Sequence, residues 1–133
     1  MFKKTMTYKD FNGSEIKEDF YFNFTKAEIL EMQLEETGGL SEKLQRIINA
    51  QDVPSIIKVF KDLILRAFGQ KSQDGKRFIK SEQISNEFSQ TNAFADLYIE
   101  LATNTEAATE FINNVIPAEQ LKEIQVKESQ EKK

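Results

Sequence analysis

Cysteine, histidine and tryptophan are all missing from the 133 residues, which contain only two prolines and five glycines. Without cysteine there can be no disulfide, no thiolate metal site and no cysteine nucleophile. Without histidine the usual general base near neutral pH, the usual zinc ligand and any Ser-His-Asp triad are gone. Carboxylates and lysines could still support catalysis, but the balance shifts towards a protein that binds rather than reacts. No run approaches the ~18 apolar residues of a membrane span. Met1-Phe2-Lys3-Lys4 is basic, yet alternating polar residues follow it instead of the apolar stretch of a signal peptide. A cytosolic protein is expected, with no membrane partner.

What the chain does contain is phenylalanine, 11 of its 14 aromatic residues, within a sequence that is 39% hydrophobic and 30% charged. A phenylalanine ring has no polar handle, so such a composition points to buried packing or to an apolar groove. Asp and Glu number 22 against 18 Lys and Arg, a net charge of −4. A whole-surface attraction to nucleic acid or anionic lipid is therefore not expected.

Residues 2–24 read as a β-hairpin, because Phe20, Phe22 and Phe24 alternate with polar residues and Asn12-Gly13 supplies a turn. A two-residue turn would set Met6 against Asp19. A three-residue loop, Asn12-Gly13-Ser14 with Gly13 at positive φ, sets Met6 against Phe20, Phe2 against Phe24 and Tyr8 against Glu18, and is preferred because it gathers the apolar residues on one face. Thr25-Lys26-Ala27-Glu28 has the capping-box form and starts a helix with Ala27, Leu30 and Leu34 at helical spacing, ended by Gly38-Gly39. Ser41 opens a second helix, with Leu44, Ile47 and Ile48. Pro54 sits in the first turn of a third, whose stripe of Ile56, Phe60, Leu63, Ile64 and Ala67 is the clearest in the chain. Residues 70–80 read as a polar loop. Ser81 starts a fourth helix with Ile84 and Phe88, a fifth carries Phe94, Leu97, Tyr98 and Leu101, and Thr105 caps a sixth that ends before Pro117. A short helical turn is expected over 118–124. The expected fold is a mainly α-helical single domain over residues 1–124, α+β by strict count, in which the 2–24 hairpin packs on a 25–124 helical bundle. Residues 125–133 are expected to be a disordered tail.

The loop over 70–80 holds Lys71, Lys76, Arg77 and Lys80 against a single acid, Asp74. With Arg66 at the preceding helix end they form a basic island suited to an acidic partner or a phosphate. Gly69 and Gly75 with Lys76 imitate part of a phosphate-binding loop, but Arg77 stands where Ser or Thr is required and a helix precedes it instead of a strand. No cofactor is expected. Asp62 and Arg66, four apart, read as a surface ion pair, and Glu35-Glu36 and Glu119 with Glu123 as solvated faces.

The stretch Arg66-Ala67-Phe68-Gly69-Gln70-Lys71-Ser72-Gln73-Asp74-Gly75-Lys76-Arg77-Phe78-Ile79-Lys80-Ser81 resembles the tail assembly chaperones of long-tailed phages infecting Gram-positive bacteria. The similarity continues through Phe88-Ser89-Gln90-Thr91-Asn92-Ala93-Phe94-Ala95-Asp96-Leu97-Tyr98 and Leu101-Ala102-Thr103-Asn104, then from Ala108 to Pro117, so it spans roughly residues 56–117. The resemblance implies a non-enzymatic protein encoded between the tail tube and tape-measure genes. Such a protein coats the helical tape measure, keeps it soluble and helps recruit tube subunits. It implies action in the cytoplasm of the infected host and absence from the mature virion. It also implies a longer form made by ribosomal frameshifting, with which the Glu131-Lys132-Lys133 end is compatible.

The partner surface expected from this reading has two parts. Surplus rings, Phe20, Phe22, Phe24, Phe60, Phe68 and Phe78, would line a groove for an apolar helix face. The basic group, Arg66, Lys71, Lys76, Arg77 and Lys80, would flank it. Tape-measure and tail tube proteins are the expected partners, no nucleic acid is, and the composition leaves room for self-association. Two rival classes predict different observables. A head-tail connector or completion protein would stay in purified virions. A small nucleic-acid-binding regulator using the five basic residues would show DNA binding that weakens steeply with salt.

Overall fold

The computed structural model describes residues 1–35 and 40–116. Among them lie four strands and six helices: β1 (Phe2–Lys9), β2 (Glu15–Phe22), α1 (Lys26–Glu35), α2 (Leu40–Ala50), α3 (Val53–Ala67), β3 (Phe68–Lys71), β4 (Phe78–Ile79), α4 (Glu82–Ser89), α5 (Asn92–Thr103) and α6 (Thr105–Val115). The strands form one antiparallel sheet in the order β1-β2-β3-β4. The fold is α+β, with the expected amino-terminal hairpin packed on helices. Gly38-Gly39, the turn expected over 118–124 and the tail over 125–133 lie outside the described residues, as does the 124/125 boundary.

The hairpin register differs from both turns considered. Phe2 pairs with Phe22, Met6 with Glu18 and Tyr8 with Ile16. The reason is Asp10, whose carboxylate accepts the amides of Asn12 and Ser14, both at 2.9 Å. That Asx-type anchor builds a loop over residues 10–14 instead of a two- or three-residue turn. Gly13 does take positive φ, 82°. The shift from the preferred register is two residues, so parity is kept and Met6, Phe20, Phe22 and Phe24 still enter the core together. Tyr8 still reaches Glu18, through its hydroxyl, at 2.8 Å.

The capping box closes α1 as expected: Thr25 N donates to Glu28 Oε1 at 2.9 Å and Glu28 N to Thr25 Oγ1 at 3.2 Å. Its buried residues are Ile29 and Met32, however, while Leu34 is exposed. Apolar residues at 27, 29, 30, 32 and 34 surround the helix, so spacing alone did not select the face. In α3 the stripe Ile56, Phe60, Leu63, Ile64 and Ala67 is buried in full. Residues 70–80 are not a plain loop, because β3 and β4 form a second small hairpin that extends the sheet. Four and two residues are too short to show a period of two. Ser81 caps α4 through Ile84 N, and Asn104, one residue before the expected Thr105, caps α6 through Ala107 N.

Rings join the layers. Phe22 and Phe20 of β2 meet Phe68 of β3 and Phe88 of α4, and Phe68 and Phe88 stack with centroids 4.1 Å apart. Phe111 of α6 packs edge-on against both Phe2 and Phe22. Sheet and helices thus share one core cluster.

Candidate partner-binding surface

The β3–β4 hairpin presents the basic island on a tightly bonded turn. Ser72 N donates to Arg77 O at 2.9 Å, Gly75 N to Ser72 O at 3.0 Å, and Gly75 takes positive φ, 73°. Asp74 Oδ1 accepts from the Ser72 hydroxyl at 2.6 Å and from Lys76 N at 3.0 Å. Those donors, the Ser72 hydroxyl first, hold the Asp74 carboxyl below its ordinary value. The one acid of the island is therefore consumed in shaping the turn. At its base Gly69 allows the strands to close. A Cβ there would stand 2.6 Å from Phe78 Cε2 and 2.9 Å from the Ile79 carbonyl oxygen.

The five basic residues do not form one free cluster. Lys80 Nζ bonds Glu28 Oε2 at 2.8 Å and lies 4.8 Å from the centre of the Phe24 ring. Burial pushes Glu28 upward, but the Lys80 ammonium and the Thr25 amide outweigh it and hold this carboxyl below the ordinary glutamate value. Arg66 sits near Asp62, the pair expected from spacing, at 3.7 Å, and near Glu35 at 3.9 Å. Lys71 lies 4.5 Å from the centre of the Tyr21 ring. Lys76 and Arg77 remain, exposed on the turn and without an ion pair among the described residues.

The groove of surplus rings is corrected by the packing. Phe20, Phe22, Phe24, Phe60 and Phe68 are all buried in the chain's own core, and Phe78 is half-buried. Eight of the eleven phenylalanines are core residues, because β2, β3, α3, α4, α5 and α6 each turn a ring towards the same centre. Phe11, in the loop of the first hairpin, is 80% exposed and is joined on the surface by Leu34, Val53 and Ile99. Sequence reasoning passed over Phe11, although a phenylalanine between Asp10 and Asn12-Gly13 sits in turn chemistry and outside any strand alternation. It also passed over Glu28 as the partner of Lys80, a pairing 52 residues apart with no local signal.

Among the described residues no group of acidic side chains is arranged to hold a metal ion, and no helix is long and apolar enough to cross a membrane. A family model described as phage tail assembly chaperone matches residues 1–133. The chain belongs to the phage tail assembly chaperone family. The model spans the chaperone from end to end, including the amino-terminal hairpin, which lay outside the 56–117 stretch that carried the sequence resemblance. No curated protein and no solved structure matches the chain. In this chaperone, then, five of the six rings that the sequence nominated for a partner build the scaffold. The surface offers instead the basic turn of Lys76 and Arg77, the half-buried Phe78 behind it, and the exposed Phe11.

Proposed function

We propose that this chaperone binds the tape-measure protein of its phage, keeps it soluble, and helps recruit tail tube subunits to it. The observation that carries the reading is the family match over the whole chain, joined to apolar residues left exposed around a rigid core. The mechanism is competition. Covering a partner's apolar face, at about 25 cal/mol per Å² removed from water, delays its self-association. Because ordering and desolvation offset most of that gain, the contacts exchange when the tube polymerises. The β3–β4 turn supplies orientation, with Lys76 and Arg77 facing acidic positions beside the partner's apolar stripe and Phe78 beside them. The protein acts in the infected host's cytoplasm and leaves before the particle is complete.

Co-expression tests this. Tape-measure protein should move from pellet to supernatant when the chaperone is present, and Lys76→Glu with Arg77→Glu should weaken that effect while leaving the fold intact. Core positions such as Phe68 are unsuitable for the test, because a charge there unfolds the chaperone itself. If the tape measure is equally soluble alone, the reading is wrong. Purified virions should lack the protein, and finding it there at stoichiometric level would favour a connector role instead.

A further inference from the structure

We propose that the outer edge of β1 is a strand-addition site for an extended, acidic segment of another chain. The proposal stands apart from the tape-measure reading, since it concerns a sheet edge and an extended ligand, not a helix face.

Two independent bonds fix which backbone groups face outward. Asp10 N donates to Ser14 O across the first hairpin, so the even residues of β1 make the β1–β2 bonds. Asn23 N donates to Ala67 O, so the odd residues of β2 face β3 and its even residues face β1, in agreement. The amides and carbonyls of Lys3, Thr5 and Thr7 therefore point away from the sheet. β1 is terminal in the sheet order, and among the described residues nothing bonds these groups. Only the far end is closed, where Asn92 Nδ2 donates to Lys9 O at 2.8 Å. The side chains of Lys3, Thr5, Thr7 and Lys9 are all exposed.

Charge selects the occupant. A second copy paired antiparallel along the full strand would set Lys3 of one copy against Lys9 of the other, at both ends, and like charges directly opposite are destabilising. Edge lysines are a common device against that kind of self-pairing. Lys9, and Lys3 beyond its loose, exposed pair with Asp19 at 3.8 Å, favour a strand with carboxylates opposite them and small hydroxyl or β-branched residues opposite Thr5 and Thr7. Backbone bonds would supply affinity and the end charges direction.

The probe is a synthetic peptide alternating threonine and valine with glutamate near each end, titrated into the full chain. Its binding should slow hydrogen exchange at the Thr5 and Thr7 amides and leave the already bonded Met6 amide unchanged. Lys3→Glu with Lys9→Glu should weaken binding about tenfold, the scale of two reversed cross-strand pairs. Thr7→Pro removes one outward amide without touching the β1–β2 ladder, as edge prolines do, and should abolish binding. If Thr7→Pro does not fold, the charge-reversed variant and the exchange pattern decide. No protection at Thr5 and Thr7, equal binding by the charge-reversed variant, or equal binding of a lysine-ended peptide would each overturn the proposal.

Discussion

Phe22 touches four other rings, those of Phe2, Phe68, Phe88 and Phe111, and is wholly buried. Removing it empties the point where sheet and helices meet, so Phe22→Ala should cost about 3–5 kcal/mol of unfolding free energy in urea titration. A loss under about 1 kcal/mol would mean that the surrounding rings collapse into the space. Gly69 makes the opposite demand. The ring edge of Phe78 could swing away from an added methyl, but the Ile79 carbonyl is backbone and cannot do so without moving β4. Gly69→Ala should therefore cost about 1–3 kcal/mol. It should also speed hydrogen exchange at the Ser72 amide, which the β3–β4 pairing protects. At this scale the sequence was legible for composition and silent on placement. Only the turn residues around Phe11 set it apart from the buried Phe20, and nothing local pairs Lys80 with Glu28.

Elements were readable in proportion to their length and to the contrast between their faces. The stripe of α3 named its buried face in advance because charged residues fill the other side. α1 did not, because apolar residues occur all round it. The first hairpin kept its apolar face despite a register shifted by two, since only an odd shift would have turned it over. The second hairpin escaped notice because β4 is two residues long. Glu28 ties α1 to the end of β4, and its lowered pKa makes that tie sensitive to acid. A carboxyl held below its unfolded value adds stability that is complete above that value and is lost as pH falls through the folded one. Glu28→Gln should thus destabilise the protein by about 1 kcal/mol near pH 7, a modest figure because the pair is partly solvated. The gap to wild type should close as the pH falls below the ordinary glutamate value and through the lowered one. A gap independent of pH would show that the cap hydrogen bond alone matters.

For the molecule as a whole, one shared core predicts one unfolding event. Denaturation followed by far-ultraviolet circular dichroism, which reports the helices, should coincide with denaturation followed by tyrosine absorption, to which Tyr8 and Tyr21 of the sheet contribute. A tyrosine transition at lower denaturant would show the hairpin melting on its own. The family assignment was legible in the middle of the chain, where the residue string is distinctive. Which rings stay on the surface was not, because that depends on how six elements converge.

The contacts of β1 bear on when the fold can close during synthesis. Phe2 packs on Phe111, and Lys4 bonds Glu100 at 3.1 Å, so the first of the described strands is held by the last two of the described helices. Translation runs from one end, and until α6 has emerged Phe2 and Phe22 lack the Phe111 ring that closes over their end of the hairpin. Such distant pairing also slows the search for the final structure. The protein should become competent only after α6 has left the ribosome, and a product shortened before α6 should be a client for other chaperones instead of serving as one.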